Sequence, residues 1–262
     1  MRWALIWLLV PALALPFSAS TEERLFGLGL FPLENPAALG DEPEGLYLSG
    51  DLSYGSRLSL FFRGFYWGEG VAYGLGLGYP LRGYFYQGAA LGPFGVAAGL
   101  ELPTGLVHLA LAYRDTWALY QSDGDWRLFH RFKAGRGRGL FELSEDLAAF
   151  YYGEYHARGV EKLWLWGGVG LGWEGLGLSL NAHWQSPVFG GPLVAEIYAR
   201  SGLGLSEEGL SVSPLSLAAG WFWRVEGGEL YLRLPYFRLE LKDGPKLYLA
   251  AGVAARITIG AR

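Results

Sequence analysis

Beyond residue 45 the chain alternates large apolar positions with small or polar ones at a period of two. In 71–79, Val71, Tyr73, Leu75, Leu77 and Tyr79 oppose Ala72, Gly74, Gly76 and Gly78. In 175–185, Leu176, Leu178, Leu180, Ala182 and Trp184 oppose Gly175, Gly177, Ser179, Asn181, His183 and Gln185. A last run sets Leu247, Leu249, Ala251, Val253, Ala255, Ile257 and Ile259 against Lys246, Tyr248, Ala250, Gly252, Ala254, Arg256 and Thr258. Successive strand residues point to opposite faces, so this pattern predicts strands and excludes helices. Shorter alternations occupy 46–54, 58–66, 81–89, 94–102, 106–114, 126–132, 147–155, 160–173, 192–200, 210–223 and 229–241. Turn-rich separators such as Gly68-Glu69-Gly70, Asp123-Gly124-Asp125 and Glu226-Gly227-Gly228 lie between them. They predict an antiparallel meander of about 12–14 strands joined by tight hairpins. Two places break the pattern. Apolar parity flips near Pro235, which predicts a bulge or turn, and the basic, irregular stretch 133–146 reads as a longer loop.

Both a soluble sandwich and a membrane barrel alternate in this way. A sandwich needs a polar outer face; a barrel needs an apolar outer band of ~9–11 residues per strand and a polar or small lumen. The less apolar face here carries Arg57, Arg63, Arg82, Glu101, His108, Arg114, His183, Glu196, Arg200, Glu229, Arg233 and Arg256, interspersed with Gly and Ala. Gly weakens a solvated strand surface, whereas inside a closed barrel it leaves room. Trp164, Trp166, Trp173, Trp184, Trp221 and Trp223 fall toward strand ends, as in interfacial aromatic girdles. The fold class expected is all-β, an antiparallel outer-membrane meander barrel, with a soluble secreted β-sandwich as the competing architecture.

Composition sharpens this reading. The chain of 262 residues holds 41 Gly, 16% aromatic and only 18% charged residues, with no Cys, one Met, two Asn and three Gln. The absence of Cys removes disulfides, thiolate catalysis and thiolate zinc sites. Few labile side chains fit a thermophile, and high genomic GC content would produce much of the same bias, including the preference for Arg over Lys. The formal net charge of −4 leaves no electrostatic footprint for nucleic acid. At the N-terminus, Arg2 precedes an apolar run from Trp3 to Leu15 and then Ser18-Ala19-Ser20. This pattern predicts a secretory signal over 1–20, cleaved before Thr21; the run is too short for a membrane anchor. Domain organisation is then signal peptide 1–20, an N-terminal periplasmic or plug segment 21–44, and a transmembrane barrel 45–262.

One short stretch carries a family resemblance. Arg24-Leu25-Phe26-Gly27-Leu28-Gly29, then Asn35-Pro36-Ala37-Ala38-Leu39, then the strand from Leu46 to Tyr54 resemble the opening of FadL- and PorV-type outer-membrane barrels. The resemblance implies a 14-stranded barrel, partly plugged by its N-terminal segment, that handles hydrophobic molecules or anchors cell-surface machinery. This chain is shorter than typical members, and its spacer before Asn35 is compressed. Read from the residues alone, Asn35-Pro36 is a turn initiator ahead of a strand.

No catalytic constellation emerges, and the expectation is a protein that is not an enzyme and takes no cofactor. His183 and Ser186 point to opposite strand faces. Glu154 and His156 share a face and could pair with Ser144 or a tyrosine, although hydrogen-bonded lumen groups explain them as well. The histidines at 108, 130, 156 and 183 lack metal-ligand spacing, so no metal site is expected. Arg127, Arg131, Lys133, Arg136 and Arg138 form the densest basic cluster, suited to anionic envelope polymer or lipid headgroups, or simply to solvent. Two functions remain: a passive outer-membrane channel or transporter for small or hydrophobic solutes, and a non-conducting structural or assembly barrel that anchors envelope proteins. Either places the protein in the outer membrane of a diderm bacterium, with the lipid bilayer and the outer-membrane assembly machinery as partners.

Overall fold

The computed structural model describes residues 19–28, 31–54, 58–79, 81–173, 175–207, 209–233, 237–240, 244–247 and 250–259. Most of the segment expected to be a signal (1–18), Arg57 and Pro235 lie outside the described residues. The first strands are β1 (Gly45–Tyr54), β2 (Leu58–Gly68), β3 (Val71–Tyr79), β4 (Arg82–Leu91), β5 (Phe94–Leu102) and β6 (Leu106–Tyr113). Next come β7 (Thr116–Gln121), β8 (Trp126–Ala134), β9 (Gly137–Ser144), β10 (Leu147–Arg158), β11 (Glu161–Gly172) and β12 (Gly175–Pro187). The series ends with β13 (Leu193–Ser206), β14 (Gly209–Val225), β15 (Gly228–Arg233), β16 (Phe237–Glu240), β17 (Gly244–Leu247) and β18 (Ala250–Thr258).

From β1 to β15 each strand pairs with its sequence neighbour, and β18 joins β15 to β1, closing a barrel of sixteen strands. All its pairings are antiparallel; closure places Thr258 opposite Gly45 and Ile257 opposite Gly228. β16 and β17 form a separate two-stranded sheet. One closed sheet excludes the two-sheet sandwich, and closure leaves no open edge along the seam.

Two strands beyond the expected fourteen account for the difference in number. β7 and β9 escape the alternation rule because their large or charged side chains face inward, Trp117 and Leu119 from β7 and Arg138, Leu140 and Glu142 from β9. The basic stretch expected to be a loop is therefore the tight hairpin from β8 into β9, with Ala134 opposite Gly137. Near Pro235 the expected single strand is two, β15 and β16, in different sheets.

Large apolar side chains cover the outer face, among them Leu75, Leu77, Phe85, Leu111, Leu171 and Leu180. An apolar surface this extensive is foreign to a soluble monomer and suits lipid. Among the described residues, no helix is long and apolar enough to cross a membrane; that says nothing of crossing by strands.

Within the barrel, glycines of β3 and aromatics of the flanking strands fit together. A Cβ on Gly76 would run into the Tyr84 ring and one on Gly78 would lie 2.6 Å from Phe61 Cδ2. Phe61 and Tyr84 stack at 6.0 Å, and Phe65 packs on Tyr84 and Tyr86 at 6.0 and 6.1 Å. The space left by inward glycine is filled by rings from β2 and β4.

Candidate functional site: the occupied lumen

Of the segment before β1, residues 19–28 and 31–39 lie against the inner wall of the barrel, and 40–44 lead out to its rim. Helix α1 (Thr21–Phe26) starts because Ser20 caps it: Glu23 N–H donates to Ser20 Oγ at 3.2 Å, while Ser20 N–H donates to Glu23 Oε2 at 2.7 Å. Gly27, in the left-handed region at φ 71°, ends it. A second short helix, α2 (Phe31–Glu34), and a 3₁₀ turn over Pro36–Gly40 follow.

Traced backward from Gly40, the segment passes along the inner wall strand by strand. Gly40 abuts Ala90 of β4. Ala37 packs so closely on Gly95 of β5 that any side chain there would overlap the Pro36–Ala37 backbone. Asn35 Nδ2 donates to the carbonyl of Arg114 in the β6–β7 turn at 2.8 Å. Phe31 meets Trp117 of β7 edge-on at 5.2 Å, with the Arg131 guanidinium of β8 4.3 Å from its ring centroid. Arg138 of β9 donates to the Phe26 carbonyl at 2.9 Å, and Leu25 and Phe26 cover Gly153 of β10. Glu22 finally reaches His183 of β12. The arc spans the wall from β4 to β12.

Two buried charge clusters hold it. Arg24 and Glu34 form a two-pronged ion pair, Nε to Oε2 and Nη2 to Oε1, both at 2.7 Å. Both side chains are buried, and the Arg24 guanidinium lies 4.5 Å from the Phe129 ring centroid of β8. Burial alone would lower the Arg24 pKa, but the adjoining Glu34 carboxylate more than offsets it and holds the guanidinium above its ordinary range. In the second cluster, His183 Nδ1 lies 2.5 Å from Glu22 Oε1 and Nε2 lies 3.5 Å from Glu196 Oε2. Its ring is sandwiched between Tyr198 at 3.9 Å and Trp164 at 4.8 Å. Three buried polar atoms around Phe31 have no hydrogen-bond partner: Asn35 Oδ1, Trp117 Nε1 and Arg131 Nη1.

Most residues expected to line the lumen are on the inner face, in scattered pairs and not in one constellation. Arg63 donates to Ser49 at 2.8 Å and lies 3.9 Å from Asp51. Glu101 and buried His108 face each other at 3.7 Å. Glu229 lies 3.9 Å from Arg224, and Arg256 reaches Glu42 at 3.4 Å. Arg82 begins β4 and is exposed; Arg200, also exposed, stands opposite Asn181 of β12. Arg233 stands opposite Gly252 in β15. Arg114 departs from the expectation: it occupies the β6–β7 turn at φ 52°, not a strand face. The Asn35–Leu39 motif is buried against β4 and β5, and Asn35-Pro36 begins the 3₁₀ turn that precedes β1. Glu154 and His156 take the outer face, because Gly153 and Tyr155, which alternate with them, face inward to Leu25 and Trp164. Sequence reading missed Glu22, Arg24 and Glu34, whose only signal was charge within an otherwise apolar segment. Among the described residues, no cluster of three or more His, Asp or Glu is placed to hold a metal ion.

No protein-family model matches the chain, and no curated protein matches it significantly. Solved structures do. A bacterial polysaccharide outer membrane secretin superposes with a TM-score of 0.56 at 9% identity, over 83% of this chain and 98% of that one. CdiB from Acinetobacter baumannii superposes with a TM-score of 0.55 at 9% identity, over 82% of this chain and 60% of that one. At such identity the likeness is one of fold, and the fold is that of an outer-membrane β-barrel.

Proposed function

We propose that the chain is exported through its 1–20 signal, inserts into the outer membrane of a diderm bacterium, and acts there as a non-enzymatic channel or transporter for small or hydrophobic solutes. The observation that carries this reading is the lumen itself. Barrels of roughly sixteen strands are wide enough to leave an aqueous channel, and here the chain's own residues 19–28 and 31–39 lie within it along the wall from β4 to β12. The segment acts as a constriction whose displacement widens the path. Its Asn35–Leu39 stretch, the part that resembles FadL- and PorV-type barrels, is the part pressed against β4 and β5.

A second reading, a non-conducting barrel that anchors envelope proteins, draws support from His183 of β12, which ties the segment to the wall through Glu22. Reconstitution into planar bilayers separates the two. Stepwise conductance supports the channel, and insertion without conductance supports the anchor.

A further inference from the structure

The outer face of β10 turns from apolar to polar along its length, and Glu161 of β11 stands opposite its last residue, Arg158. Its even-numbered residues point outward, and Ala148 and Phe150 continue the lipid-facing band. Phe150 packs with Phe141 of β9 at 5.1 Å and with Phe132 of β8 at 6.3 Å. The next outward positions are polar and linked in a row. The Tyr152 hydroxyl donates to Glu154 Oε1 at 2.7 Å, and Glu154 Oε2 lies 3.2 Å from His156 Nε2. Arg158, exposed, takes the following outward position. The Glu154 and His156 side chains are 33% and 52% exposed, so both are open to a ligand. Pairing with β9 ends at Gly153 opposite Arg138, and the row continues beyond it toward the rim where the chain enters the barrel. A charge facing hydrocarbon is costly at mid-membrane and nearly free at the interface. The row therefore belongs at headgroup depth, directly beyond an aromatic cluster at acyl depth.

We propose that Tyr152, Glu154, His156 and Arg158 bind the headgroup of a zwitterionic phospholipid bearing a primary ammonium beside its phosphate, with an acyl chain lying over Phe132, Phe141 and Phe150. Same-face strand residues are about 6.8 Å apart, so the row sets an acceptor, Glu154, next to donors, His156 and Arg158, along one line. A primary ammonium donates hydrogen bonds to the carboxylate while its phosphate meets the donors. A quaternary ammonium has no N–H to give. An anionic lipid without an amine sets its phosphate against the Glu154 carboxylate and offers it no N–H. This inference rests on the outer-membrane reading above.

Native mass spectrometry of the full chain tests it, with phosphatidylethanolamine, phosphatidylcholine and phosphatidylglycerol offered at equal concentration after insertion into vesicles is verified by flotation. The wild type retains phosphatidylethanolamine preferentially, and Glu154→Gln reduces that retention roughly fivefold, the scale of one interfacial ion pair. Heat-modifiable gel mobility verifies that the variant is folded; should it not fold, Arg158→Gln supplies the same readout. Equal retention of the three lipids, preference for phosphatidylglycerol, or a preference unchanged by both variants overturns the proposal. Failure of the wild type to insert into vesicles overturns the outer-membrane reading instead.

Discussion

The guanidinium of Arg24 meets the carboxylate of Glu34 through two parallel hydrogen bonds of 2.7 Å, across ten residues of chain and out of contact with water. It joins α1 to α2 and fixes the shape of the segment inside the barrel. Removing one partner strands a buried charge, which costs roughly 3–5 kcal/mol, whereas replacing both by apolar residues of similar volume is nearly neutral. Arg24→Met should therefore lower the stability of the N-terminal segment by that amount, and R24M/E34L should recover most of it. Protease cleavage within 19–44 as a function of urea concentration measures both.

His183 ties the start of the segment to β12, between Glu22 and Glu196. His183→Ala should speed amide hydrogen exchange across Thr21–Phe26 by roughly tenfold, the loss of one charge-assisted hydrogen bond. Exchange in the paired strands β3 and β4, away from this contact, should be unchanged. Equal acceleration in those strands would mean that His183 supports the wall and not the segment.

Inward glycines differ in what surrounds them. Gly76→Ala places a methyl in the Tyr84 ring and should cost roughly 1–3 kcal/mol by overpacking. At Gly177 the nearest atom to an added Cβ is the Gly170 carbonyl oxygen at 3.9 Å, so Gly177→Ala should be neutral or slightly stabilising. Denaturant unfolding of both variants in micelles makes the comparison.

On the outer face, Leu75→Arg should destabilise the membrane-inserted barrel by roughly 2–4 kcal/mol if that position lies at mid-bilayer depth. Asn181→Arg, on the inner face opposite Arg200, should change stability much less. Reversible unfolding from lipid vesicles reads both.

Much of the barrel was legible from alternation alone, and the reason is local. In β3 and β12 one parity is large and apolar and the other small or polar, so the outer face declares itself residue by residue. β7 and β9 were not legible because the occupied lumen inverts that rule: Trp117, Leu119 and Leu140 face inward against the N-terminal segment. The same inversion places Phe65, Tyr84 and Phe129 inside, although large rings suggest lipid. Alternation showed that Glu154 and His156 share a face; which face depends on closure and on Gly153 meeting Leu25, contacts between residues far apart in sequence. The Arg24–Glu34 pair leaves no periodic trace, since its partners lie on different short elements.

The account turns on whether residues 21–44 constrict a conducting barrel. Single-channel recording in planar bilayers, comparing the chain from Thr21 onward with a variant lacking 21–44, tests this most directly. The predicted result is a small or intermittent conductance for the full chain and a larger, stable one for the variant. A variant that inserts folded yet conducts no more than the full chain contradicts it.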